Sequence, residues 1–125
     1  MDERLVRALA RGHTIDITTT GRKTGLARRI EMVFHNIEGR IYISGMPRAD
    51  RKRSWLYNLE ADPRMTFHLK GVVTADVAAH ARVIDDDSER RAIMPTIAAN
   101  WGRTDIEFMV HWSPLIEVIF DDMAA

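Results

Sequence analysis

The sequence predicts an α+β domain in which five or six strands form an antiparallel sheet or small barrel and single helices pack outside. Three observations carry this. Apolar residues alternate with polar ones in short runs, as in Ile15, Ile17, Ile30, Met32, Phe34 and in Met65, Phe67, Leu69. Glycine-bearing turns join the early runs directly, at Gly21–Gly25 and Glu38-Gly39. Helical spacing recurs between the later runs, but the first three strands have no helix between them, which argues against a parallel doubly wound sheet.

Each element follows in order. Leu5, Val6 and Leu9 predict a short amphipathic helix over 2–10, with Gly12 as its stop. Ile15–Thr19 reads as a strand, and Gly21–Gly25 turns the chain into a second strand over 27–37. Arg40–Ser44 is a third strand. Gly45–Arg51 is a loop rich in Gly, Pro and Arg. Ser54–Leu59 is helical, with Trp55 and Leu59 on one face, and Asp62-Pro63 ends it. Met65–Lys70 is a strand, and Val72–Ile84 reads as another, longer one. Asp85-Asp86-Asp87-Ser88 supplies acceptors and negative charge for a helix start. That helix runs to about Asn100, and Pro95 predicts a kink or a break within it. Asp105–His111 gives one or two further helical turns, and Pro114–Phe120 closes with a strand.

The 125 residues suffice for one domain with one core, taken as 1–125. No cysteine is present, which excludes disulfides, thiolate metal sites and cysteine nucleophiles. No apolar run reaches the roughly 20 residues that span a bilayer, so no transmembrane segment is expected and a cytoplasmic location is. The five histidines form no close pair, so no metal is expected. His68 lies opposite the apolar residues of its strand and reads as solvent-exposed. No G-x-S-x-G surrounds Ser44 or Ser113.

Net charge is zero but strongly polarised. Residues 22–53 hold nine Lys/Arg against three acids, and residues 54–125 hold six against twelve. Such a cationic region points to an anionic partner, most simply a phosphate-bearing small molecule. Arg22 and Lys23 project from the first turn, where Gly21 and Gly25 let backbone N–H groups approach a ligand. Arg28 and Arg29 face opposite ways, so one of them turns toward the same anion. Arg48-Ala49-Asp50-Arg51-Lys52-Arg53 is a second basic loop, able to grip an acidic tail or phosphates. Trp55 reads as core, and Trp101 and Trp112 as pocket walls. The strands of the basic segment lack the regular outward aromatics on which bases stack, so no nucleic-acid partner is expected.

The string Thr18-Thr-Thr-Gly-Arg-Lys-Thr-Gly25, followed by Ser44-Gly45 and Trp55-Leu-Tyr-Asn-Leu-Glu-Ala-Asp-Pro63, resembles the deazaflavin-dependent nitroreductase and quinone reductase family. The resemblance implies an FMN-binding-like split β-barrel of about six strands and use of reduced coenzyme F420, with FMN or FAD as the alternative. It implies hydride transfer to a small-molecule electron acceptor such as a quinone, enone or nitro compound. It assigns Arg22, Lys23, Thr24 and Arg28 to the cofactor phosphate and acidic tail, and Ser44, Gly45 and Met46 to the edge of the deazaflavin ring. Arg51, Arg53 and Trp55 complete the expected cofactor contacts, with Trp55 and Asn58 bracing the ring-side loop. No catalytic side chain is assigned. The stretch Met46–Ser54 departs from the family's pattern, and the C-terminal third offers Trp101, Phe108 and Trp112 where nitroreducing members place tyrosines. A homodimer is plausible by analogy, through an apolar patch at Met94, Ile97, Trp101 and Phe108.

Overall fold

The computed structural model describes residues 3–11, 13–50, 52–71 and 73–121. The elements are α1 (Glu3–Arg11), β1 (His13–Thr20), β2 (Ala27–Ile37), β3 (Arg40–Ser44), α2 (Ser54–Ala61), β4 (Arg64–Leu69), β5 (Ala75–Val83), α3 (Asp87–Asn100), α4 (Ile106–Trp112) and β6 (Leu115–Phe120). Gly12, the expected stop of α1, lies outside the described residues.

The six strands close a barrel in the order β1-β2-β3-β6-β5-β4, and every neighbouring pair is antiparallel. The sequence-based fold class is therefore the observed one. Period-2 alternation fills the interior: Ile15, Ile17, Phe34, Ile43, Phe67 and Ile116 are nearly or fully buried. Phe67 meets Phe34 and Phe120 edge-on, with ring centres 5.5 and 5.2 Å away. Leu9 of α1 and Trp55, Leu56 and Leu59 of α2 belong to this same core. A second core lies outside the barrel, where α3 and α4 pack on Tyr42, Ile84 and Leu115.

Turn chemistry sets the registers. Glu38 and Gly39 both adopt positive φ, 54° and 85°, and Asn36 Oδ1 accepts the Gly39 N–H at 2.9 Å. Asp86 caps α3 by accepting the Glu89 N–H at 2.8 Å.

Four expectations are corrected. β5 begins at Ala75, where the register pairs it with Leu69, and Val73 and Thr74 precede the strand; Val72, the expected start, lies outside the described residues. Pro95 does not break α3, which runs unbroken to Asn100. Pro95 sits on the exposed face, so the lost backbone bond falls where water can replace it. His68 is buried rather than exposed, its ring held between Thr18 Oγ1 at 2.6 Å and Asp76 Oδ1 at 2.7 Å on the flanking strands. Met94 and Ile97 are fully buried in the second core, so the four-residue patch named for dimer contact is not a surface.

One feature of the barrel positions the site. β2 pairs with β1 from Ala27 to Phe34, but with β3 only from Phe34 to Ile37. On that second edge, residues 27–33 have no strand partner among the described residues. A slot therefore opens between this edge, the chain leaving β3, and α2.

Candidate functional site

The turn after β1 carries backbone hydrogen bonds of its own. Gly21 N donates to Leu26 O and Gly25 N to Gly21 O, each at 2.8 Å, and Gly25 takes a φ of 70°. Thr24 Oγ1 accepts the Leu26 N–H at 3.2 Å, and a Cβ on Gly21 would come within 2.8 Å of that oxygen. The turn is thus held tight, with Arg22, Lys23 and Thr24 exposed on it. These three and Arg28 line a cleft of about 390 Å³ floored by Trp55. Arg29 points away and pairs with Asp16 at 2.9 Å. Asp16, which Lys70 also binds, lies below the ordinary carboxylate range through those hydrogen bonds.

Asn58 tethers this turn to α2. Its Oδ1 accepts the Arg22 backbone N–H at 3.1 Å and an Arg22 guanidinium N–H at 3.2 Å, and its Nδ2 donates to Thr19 Oγ1 at 3.4 Å. The Tyr57 ring, one residue earlier, carries the Arg22 guanidinium 4.9 Å from its centre and the Lys52 ammonium at 4.8 Å. The expectation that Asn58 braces the ring-side loop is corrected: it braces the basic turn. Periodicity places Asn58 on α2, but only the packing of α2 on β1 shows which loop it reaches.

Ser44, Gly45, Met46 and Arg53 line a second cleft of about 350 Å³, together with Met32 and Trp101. Trp55 lines both clefts. The Ser44 hydroxyl donates to Pro114 O at 2.6 Å, so its backbone is what the cleft receives. Arg53 Nη2 donates to Met46 O at 2.9 Å and Arg103 Nη1 contacts Met46 Sδ at 3.2 Å, which fixes the loop from two sides. A Cβ on Gly45 would meet Pro114 Cγ at 3.0 Å. Trp101 is a wall here, as expected; Trp112 stands elsewhere.

The second basic loop does not join the first cleft. Arg48 and Lys52 line a separate one, because Arg48 N is bound to Trp112 O at 3.3 Å and the loop leans on α4. Arg51 lies outside the described residues. The ten predicted contacts therefore divide: Arg22, Lys23, Thr24 and Arg28 in one cleft, Ser44, Gly45, Met46 and Arg53 in the next, and Trp55 between them.

The donor set suits an elongated, planar anion. Guanidinium and ammonium groups ring one end, and strand-edge backbone and an indole flank the other. Glu31 is the one acid among the described lining residues, and Lys70 already holds it at 2.6 Å. No histidine lines either cleft among the described residues. The lining offers charge at one end and flat surface at the other, and no paired acid and base among the described residues.

The sequence model of the F420H2-dependent quinone reductases matches residues 1–108. The chain belongs to that family. No curated protein sequence matches it. Solved structures share the fold at low identity. A conserved hypothetical protein of Mycobacterium tuberculosis superimposes with a TM-score of 0.75 at 18% identity, over 97% of this chain and 81% of that one. A putative pyridoxamine 5'-phosphate oxidase of Listeria innocua gives 0.67 at 12%, over 95% and 92%. An FAD-binding protein of Mesorhizobium loti gives 0.62 at 11%, over 94% and 86%. These establish the split barrel of this F420H2-dependent quinone reductase family member and nothing finer.

Proposed function

We propose that the chain is an F420H2-dependent reductase that passes a hydride to a quinone, enone or nitro-type acceptor. The observation that carries this reading is the meeting of a cationic cleft and a flat, loop-walled cleft at Trp55. When bound, reduced coenzyme F420 supplies the hydride from its ring. Lys23 and Arg28 neutralise the phosphate and acidic tail, and Arg22, shared with Asn58 and Tyr57, holds the turn in the receiving shape. Backbone groups of Ser44–Met46 orient the ring edge. Trp55 and Trp101 keep water from the reacting face. No tyrosine lines either cleft among the described residues, which favours quinones or enones over nitro compounds.

The test is titration of F420 into the purified protein, followed by cofactor fluorescence. The double variant Arg22→Ala/Lys23→Ala should weaken binding by about 1–3 kcal/mol per lost charge-assisted contact. An unchanged dissociation constant would remove the phosphate site. The second reading is an FMN- or FAD-holding protein without F420 turnover, favoured by the FAD-binding neighbour of the same fold. A flavin spectrum that survives purification, together with no F420 binding, would select it. We further expect a cytoplasmic protein that pairs as a homodimer, which equilibrium sedimentation would check; no helix among the described residues is long and apolar enough to cross a membrane.

A further inference from the structure

Met46 lines the ring-side cleft beside Trp55 and Trp101, and it is 45% exposed. Met65, Met94 and Met109 are 6% exposed or less. Its backbone is fixed, because Arg53 Nη2 donates to Met46 O at 2.9 Å. Its sulfur has a partner of its own: Arg103 Nη1 donates to Met46 Sδ at 3.2 Å.

That guanidinium is aimed by the end of α3. Gly102, at a φ of 66°, closes the helix, with its N–H on Ala99 O at 3.2 Å and the Arg103 N–H on Ala98 O at 2.8 Å. Asp105 then takes Arg103 Nε at 2.9 Å and Nη2 at 2.5 Å, and the planar fork turns Nη1 toward the sulfur. A thioether is a weak acceptor, and one of its two lone pairs is enough for this contact. The other remains for an oxidant. A sulfoxide in the same place is polar and chiral, and a guanidinium N–H suits its oxygen far better than it suits sulfur.

We propose that Met46 is a site of reversible oxidation by hydrogen peroxide, and that Arg103 receives the oxygen it gains. In this step the peroxide O–O bond breaks and a sulfur lone pair takes up one oxygen. The other oxygen leaves as water with both protons. Sulfur loses two electrons and peroxide gains them. Because Arg103 covers one lone pair, oxygen enters at the other and one epimer predominates. Rotation of the unbranched side chain then brings that oxygen onto Arg103 Nη1. The consequence rests on the cofactor reading above: a polar oxygen stands at the ring edge, and F420 binding weakens until the sulfoxide is reduced.

The experiment is peroxide treatment of the full chain followed by peptide mass spectrometry. Met46 should gain one oxygen about tenfold faster than Met65, Met94 and Met109. The two sulfoxide reductases that each accept one epimer, applied separately, should restore Met46 very unequally in the parent and evenly in Arg103→Ala. The proposal fails if Met46 oxidises no faster than the three buried methionines, or if the parent's epimers divide evenly. Both outcomes are read on the parent alone and without cofactor, so they stand even where the variant folds poorly. In F420 titrations the oxidised parent should bind about fivefold more weakly than the untreated one, and reduction should restore it. Met46→Leu should bind alike before and after peroxide. Equal binding by the oxidised and untreated parent would overturn the regulatory consequence. An untreated parent that binds no F420 would sink the cofactor reading instead, and the mass and epimer results would still decide the modification site.

Discussion

One oxygen of Asn58 receives two protons from Arg22, one from its backbone at 3.1 Å and one from its guanidinium at 3.2 Å. A helix side chain thereby fixes both the position of a turn and the direction of the cation on it.

Replacing Asn58 with Ala removes both acceptor contacts inside a mostly buried corner. Stability should fall by about 1–3 kcal/mol, read by urea denaturation. The amides of Gly21–Leu26 should exchange faster with solvent in the variant than in the parent. Equal exchange in parent and variant would show that the turn holds itself.

Lys23 and Arg22 should separate in their effects. Lys23 is exposed and makes no side-chain hydrogen bond or ion pair among the described residues, so Lys23→Ala should weaken F420 binding while leaving the unfolding free energy within about 0.5 kcal/mol of parent. Arg22→Ala, which also loses Asn58 and Tyr57, should lower both. Parallel titration and thermal melts measure the pair.

His35 sets a pH limit. It is 4% exposed, Asn100 Nδ2 donates to its Nδ1 at 3.2 Å, its ring lies edge-on to Trp101, and its Nε2 has no partner among the described residues. Burial lowers its pKa below the usual value near 6.5. The unfolded chain then takes up a proton before the folded one does, so stability is full above about pH 6.5 and declines as pH falls toward the folded value. The carboxylates held low, such as Asp16 and Asp62, add their losses only at more acid pH. Urea midpoints at pH 8 and pH 5.5 should differ, and His35→Gln should shrink the difference.

Glu117 is the hub of the β3–β6–β5 outer face. Its side chain is 9% exposed and receives Arg40 at 2.8 and 2.9 Å and Arg82 at 3.0 and 2.8 Å, while Arg82 also grips Glu89. Burial alone would raise the carboxyl, but the two guanidiniums outweigh it and hold it low. Glu117→Ala should cost about 2–3 kcal/mol, less than a fully buried pair because both arginines reach water. Calorimetric or denaturant unfolding measures it.

Much of this was legible in the chain. Alternation of Ile30, Met32 and Phe34, the Glu38-Gly39 pair and the Asp85–Ser88 cap are local signals, and each produced its element. Alternation alone reads His68 as exposed, because its partners, Thr18 and Asp76, come from β1 and β5 and only meet it across the sheet. Met94 and Ile97 looked like a patch because the strands that cover them are distant in sequence. The motif around Gly21–Gly25 placed the cationic turn correctly. It held no information on Arg48 and Lys52, whose direction depends on the anchor between Arg48 and Trp112.

The half of β2 that β3 leaves uncovered has a cost beyond ligand recognition. On the side away from β1, Ala27–Val33 have no strand partner among the described residues, so that edge is a rail on which another extended chain can add itself. Arg28, Arg29 and Glu31 stand along that rail, and charges there are the usual deterrent to such stacking. Evolution of a tighter pocket by trimming those charges would therefore trade against solubility.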